Sequence, residues 1–90
     1  MTIVKIFGKD NCEICKNIRK KFEIFLEYWN IQKAKIIYYN IERLEGLSEA
    51  AFHNTLNIPV VIIEKDNKEI FRSEKRSIIS KEFSHLFKEE

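Results

Sequence analysis

The sequence predicts an α/β fold: one four-stranded mixed sheet with helices on both faces. Three observations lead there. Strand-like and helix-like segments alternate along the chain. The first two strands are separated by an amphipathic segment long enough to be a crossover helix. The last two strands are separated only by the polar turn "KDNK" at 65–68. The order is βαβαββα, in which the first strand–helix–strand unit makes its strands parallel and the late hairpin adds antiparallel partners. A chain of 90 residues holds one hydrophobic core, so residues 1–90 are expected to form a single domain.

Each element has its own signal. "TIVKIFG" (2–8) is short, β-branched and closed by glycine, the pattern of a buried strand. Ile14, Ile18, Phe22, Phe25, Leu26 and Trp29 then recur at intervals of three and four, marking the apolar stripe of a long helix that stops near Ile31 or Gln32. Lys16, Arg19, Lys20, Glu23 and Glu27 form its wet face. "AKIIYYN" (34–40) reads as a second buried strand. "GLSEAAFHNTLN" (46–57) reads as a helix with Leu47, Ala50, Ala51 and Leu56 facing inward. "PVVIIE" and "KEIFRS" are the hairpin strands. "SIISKEFSHLFKEE" carries Ile78, Ile79, Phe83, Leu86 and Phe87 at helical spacing, with Ser77 or Ser80 as candidate caps.

Composition excludes several classes of function. Sixteen basic and fourteen acidic residues leave a net charge of +2, too balanced to imply nucleic acid or an anionic membrane surface as partner. The segment "MTIVKIFG" is too short and too interrupted for a signal sequence, and no run approaches a membrane span. The expectation is a cytoplasmic protein, in a compartment that keeps thiols reduced. There a close pair of cysteines points to catalysis or metal binding more than to a structural staple.

Cys12 and Cys15, in "GKDNCEICKN", are the two cysteines of the chain. They fall where a buried strand turns into a helix. Cys12 is placed at or just before the first helical turn, where unpaired amides and the helix dipole favour thiolate over thiol. Cys15 is placed a turn further in, more buried, and within reach of a mixed disulfide on Cys12. Lys9 and Lys16 favour the thiolate while Asp10 and Glu13 oppose it. The expected Cys12 pKa is therefore moderately below the free-thiol value of about 8.5. A zinc site needs about four ligands, and His53 and His85 are single residues expected on helix surfaces, so no metal is expected. Pro59, between a helix and an apolar strand in "LNIPVVIIE", is compatible with an ordinary strand start.

A CxxC-headed helix followed by an X-Pro entering a β-hairpin resembles the thioredoxin superfamily, in particular its small glutaredoxin-like branch. The resemblance runs through element order, length, "CEIC" and "NIP". It implies a thioredoxin-like fold and a thiol-disulfide oxidoreductase that reduces protein disulfides, with Cys12 the attacking and Cys15 the resolving sulfur. It further implies a cis Pro59 beside Cys12, an Ile58 backbone that pairs with substrate, and a Lys9 that favours the thiolate and binds a glutathione carboxylate. No cofactor is implied on the chain itself: electrons would come from glutathione or from a flavoprotein thioredoxin reductase using NADPH. Partners would be disulfide-containing proteins and that reductant, with the chain acting as a monomer.

The sequence departs from both parents. Glu13-Ile14 replaces the Pro-Tyr of glutaredoxins and the Gly-Pro of thioredoxins. Phe71-Arg72-Ser73-Glu74 stands where glutaredoxins have Gly-Gly and an acidic residue, which puts glutathione binding in question. Ile6 stands where thioredoxins bury an acid. Two other readings remain at this level: a thioredoxin-fold binding module, and an iron–sulfur carrier in which Cys12 of two chains shares a cluster.

Overall fold

The computed structural model describes residues 1–87. In chain order it has β1 (Thr2–Gly8), α1 (Glu13–Tyr28), β2 (Ala34–Asn40), α2 (Leu44–Phe52), β3 (Val60–Lys65) and β4 (Lys68–Ser73). Two short 3₁₀ turns follow, Ser80–Glu82 and Ser84–Phe87. The sheet order is β2-β1-β3-β4, with β1 and β2 parallel and the other pairs antiparallel. The α/β class, the mixed four-stranded sheet and the helices on both faces are as the sequence predicts.

Strand β1 lies inside the sheet, and its alternation divides the molecule. Val4 and Ile6 point to one face, where Ile18, Phe22, Phe25 and Leu26 of α1 pack against them together with Val61 and Ile63 of β3. The 3₁₀ turns close the same face through Ile78, Phe83 and Phe87. Phe83 stacks on Phe22 with ring centroids 4.3 Å apart and meets Phe25 at 4.9 Å. The wet face of α1 is exposed as expected.

The opposite face is built differently. Phe7, Val60, Ile62 and Ala50 form a small apolar cluster under α2. Beside it Lys5 is buried, with its ammonium 2.6 Å from a Glu49 carboxylate oxygen and 3.0 Å from one of Glu64. His53 Nε2 lies 3.1 Å from the same ammonium. Burial alone would lower the Lys5 pKa, but the hydrogen bonds and charges of Glu49 and Glu64 together raise it above its usual 10.5. The Lys5 hydrogen bond in turn holds Glu49 below its usual 4.5 against the opposing effect of burial.

The turns follow local chemistry. Lys65 pairs with Lys68, so Asp66 and Asn67 make a two-residue hairpin turn, and both take positive φ, 52° and 70°. Helix α1 ends at its Trp29 cap, and Asn30 follows at φ 53°; α2 ends at its His53 cap, and Asn54 follows at φ 56°. Asparagine tolerates this left-handed conformation, which is why these helices stop there. A Cβ on Gly46 would come within 1.9 Å of the Asn40 carbonyl oxygen, so only glycine lets α2 approach the end of β2 this closely.

Several sequence expectations are corrected. The C-terminal helix is instead a pair of 3₁₀ turns, and its last three residues, 88–90, lie outside the described residues. Neither Ser77 nor Ser80 caps it; the Glu82 carboxylate accepts the Ile79 N–H at 3.0 Å. Ile79 is exposed. Helix α2 runs 44–52 rather than 46–57, leaving Leu47, Ala51 and Leu56 exposed. Trp29 is 64% exposed, because α1 ends before a sixth apolar position can turn inward. Strand β2 is a half-buried edge strand, not a fully buried one. His53 is buried, not a surface histidine.

Candidate active site

Strand β1 delivers the chain at Gly8 to a short loop, and α1 begins at Glu13 with Cys12 as its N-cap. Cys12 takes an extended conformation, φ −94° and ψ 101°, which turns its sulfur back over the first helical turn. There Sγ accepts the Cys15 backbone N–H at 3.1 Å, and the Cys12 carbonyl accepts the Lys16 N–H at 3.1 Å. A side chain in the N-cap position normally satisfies an orphan amide with oxygen; here sulfur does it. The same amide and the aligned peptide dipoles of α1 stabilise negative charge on that atom.

Cys15 is fully buried, Cys12 half-buried, and the two are joined by a disulfide with Cα atoms 5.3 Å apart. The helical spacing sets this asymmetry. One sulfur faces outward at the helix mouth and the other faces the sheet.

Gly8 makes room for the buried sulfur. A Cβ at Gly8 would lie 2.8 Å from Cys15 Sγ, 2.6 Å from its Cβ and 2.3 Å from the Tyr38 hydroxyl oxygen. Any side chain there would displace the cysteine or the tyrosine. The Tyr38 hydroxyl donates to the Lys9 carbonyl at 2.9 Å, and the Cys12 N–H reaches the same carbonyl at 3.3 Å. Burial, with the nearby Asp10 charge, raises the Tyr38 pKa above its usual 10 against the opposing effects of Arg19 and the Lys9 hydrogen bond. The Arg19 guanidinium lies over the Tyr38 ring, 5.3 Å from its centroid. Tyr38 and Asp10 also line an open cleft with Asn40, Arg43 and Gly46.

The other residues singled out in the sequence gather at the same end of the sheet. Phe7 pairs with Val60, so the Ile58–Pro59 peptide, which is cis, enters β3 where β1 runs out towards the cysteine loop. Pro59 is buried and Ile58 half-buried. Lys9 sits in the loop itself, its carbonyl holding both the Cys12 amide and the Tyr38 hydroxyl. Ile6 is buried in the apolar core under α1. Phe71 packs against that same core from β4. Arg72 donates to Glu69 and to the His53 carbonyl, at 2.8 Å to each. The "FRS" residues therefore belong to an ordered edge strand.

Tyr38 is the residue that sequence reasoning left unassigned. The signal was present: β2 runs parallel to β1 with Tyr38 opposite Ile6, so both side chains point to the α1 face. What the sequence did not show is that the ring is long enough to bring its hydroxyl up to the cysteine corner.

No protein-family model matches the sequence, and no curated protein matches it. Among solved structures the chain is similar to thioredoxins. Thioredoxin 1 from Thermosipho africanus aligns over 93% of this chain and 89% of its own, with 23% identity and a TM-score of 0.73. The thioredoxin from Fasciola hepatica aligns over 98% and 79%, at 20% identity and a TM-score of 0.73. Thioredoxin-2 of the malaria parasite, a component of its protein secretion machinery, aligns over 100% and 84%, at 18% identity and a TM-score of 0.78. The chain has the thioredoxin-like fold. No helix among the described residues is long and apolar enough to cross a membrane.

Proposed function

We propose that this protein is a dithiol oxidoreductase that reduces disulfides in other proteins. The observation that carries the reading is the unequal pair at the mouth of α1: Cys12 Sγ on the free amide of Cys15, and Cys15 buried within disulfide reach behind it. In the reduced protein the Cys12 thiolate attacks one sulfur of a substrate disulfide, forming a mixed disulfide and releasing the first substrate thiolate. Cys15, having lost its proton to solvent, attacks Cys12 Sγ. The Cys12–substrate bond breaks, the Cys12–Cys15 disulfide forms, and the second substrate thiolate leaves with the electron pair and takes up a proton. Two electrons pass to the substrate, and an external reductant restores the dithiol.

Lys9 favours the Cys12 thiolate, and Ile58 with Pro59 forms the edge along which an extended substrate segment lies. The reductant is a flavoprotein thioredoxin reductase rather than glutathione. The support for this is that Phe71 and Arg72 are committed to the core and to the Glu69–His53 contacts, leaving no glycine pair for a glutathione backbone to approach. The protein acts as a cytoplasmic monomer.

The test is insulin-disulfide reduction with two electron supplies, glutathione with glutathione reductase and thioredoxin reductase with NADPH. Turnover with the second system and little with the first is expected. Equal or greater turnover with glutathione would overturn the choice of reductant, and no turnover with either, or with dithiothreitol, would overturn the oxidoreductase reading. A Cys12 pKa below about 8.5 is expected from the reaction of the reduced protein with iodoacetamide across pH.

A further inference from the structure

We infer that the Tyr38 hydroxyl is the hydrogen-bond donor to the Cys15 sulfur, holding the resolving thiolate in the step that releases substrate. The inference rests on the reading of Cys15 as resolving sulfur and adds a residue to it. It stands on geometry. The hydroxyl oxygen and Cys15 Sγ lie 2.3 Å and 2.8 Å from the point where a Gly8 Cβ would be, so they share the space that the absent side chain leaves. Cys15 is fully buried, away from the water that would otherwise solvate a thiolate. A buried charge without a partner is disfavoured, and a hydroxyl is a donor able to supply one.

The surroundings keep Tyr38 in the donor role. In the oxidised state its proton is directed to the Lys9 carbonyl at 2.9 Å, so the hydroxyl is already held at the cysteine corner. Burial and Asp10 disfavour its ionisation, which leaves the proton on oxygen at neutral pH. Arg19 over the ring is the opposing cation, and its charge pulls the Tyr38 pKa the other way. The groups at this corner are Arg19 of α1, Asp10 of the loop with its partner Arg43 at 3.6 Å, the Lys9 carbonyl, and Tyr38 of β2. When Cys15 has lost its proton to solvent, the hydroxyl turns from the Lys9 carbonyl to the new thiolate. It keeps its own proton throughout. The thiolate then attacks Cys12 Sγ, the Cys12–substrate bond breaks, and the electron pair leaves on the substrate sulfur. Once the disulfide has re-formed, the hydroxyl returns to Lys9.

Tyr38→Phe removes the donor and keeps the ring. Reaction of the reduced protein with an aromatic disulfide reagent such as DTNB separates the two steps: one thionitrobenzoate is released as Cys12 attacks, a second as Cys15 resolves. In the variant the first release is expected to be nearly unchanged and the second about three- to fourfold slower at neutral pH: a rise of about one unit in the Cys15 pKa cuts the thiolate about tenfold, and the greater nucleophilicity of the more basic thiolate returns about threefold. The Cys15 and Cys12 titrations, followed separately through their 13Cβ shifts, should show that rise at Cys15 and little change at Cys12. In the unaltered protein, the Tyr38 13Cζ shift should inflect at the Cys15 pKa, a readout that needs no variant to fold. An unchanged Cys15 titration, or equal shifts at both cysteines as expected from a purely structural tie through Lys9, would overturn the inference. Absence of the second release from the unaltered protein would instead overturn the resolving role of Cys15.

Discussion

The two faces of the sheet are covered by the same strands but filled by opposite means. On the α1 face, a sixteen-residue helix and the 3₁₀ turns bury a continuous apolar core. On the α2 face, the nine-residue helix buries only Gly46 and Ala50, and the gap beside the small apolar cluster holds Lys5, Glu49, Glu64 and His53. The difference teaches how a small sheet can bury one cysteine and leave the other at the helix mouth. The face that carries the cysteines buries Cys15 beside a continuous apolar core, where a hydrogen bond to a buried sulfur counts for more. Lys5 and Glu64 are kept on the other side of the sheet by strand alternation, and Glu49 and His53 by their place on α2 and its cap.

The contrast is open to direct attack. The largest expected effect is from Lys5→Met, which leaves Glu49 and Glu64 with only His53 between them. Breaking a buried pair in this way costs about 3–5 kcal/mol, read by urea denaturation at neutral pH. A loss below about 1 kcal/mol would mean that the cluster contributes no more than surface ion pairs do. Phe22→Ala on the other face should cost a similar amount, about 3–5 kcal/mol, through a cavity between Val4, Ile18 and Phe83.

The pH dependence separates these two losses. The folded-state pKa of Glu49 is depressed, so its contribution is complete above its usual 4.5 and fades as pH falls through the folded value. Lys5 is raised above 10.5, so its contribution is complete below that value and is lost as pH rises through the folded one. The penalty of Lys5→Met should therefore be greatest between about pH 5 and 10 and shrink outside that window, judged from the usual carboxylate and ammonium values. That of Phe22→Ala should hardly vary with pH. Parallel profiles would break the distinction between the faces. The smallest effect is expected from Trp29→Ala, within about 0.5 kcal/mol in the same denaturation experiment, because the ring is exposed.

How far the sequence alone reaches follows the same division. The α1 face was legible because its signals are local: five of the six stripe residues on α1 face the core, and the cysteines fall at the cap that strand and stripe together define. Trp29 broke the pattern because Asn30 ends the helix in a left-handed conformation, a stop signal visible in the sequence but outweighed there by the apolar spacing. The C-terminal segment kept most of its inward residues and lost its helix type. Phe83 and Phe87 are buried, but the Glu82, Phe83 and Leu86 amides bond three residues back instead of four. The α2 face was illegible for a different reason. Lys5, the i,i+4 pair Glu49 and His53, and Glu64 lie far apart in sequence, and each alone reads as a surface residue; only the sheet register and the short helix bring the three places together. Tyr38 belongs with them in this respect, since bringing its hydroxyl to Gly8, where Cys15 also packs, depends on two paired strands and a helix.

The central claim is that the outer sulfur attacks and the inner one resolves. The most direct measurement incubates reduced Cys12→Ser and Cys15→Ser variants with a disulfide-containing protein and resolves the products by non-reducing electrophoresis and mass spectrometry. Cys15→Ser should accumulate a stable mixed disulfide through Cys12, and Cys12→Ser should form none. Capture through Cys15 in the Cys12→Ser variant, or no covalent complex from Cys15→Ser, would contradict the assignment.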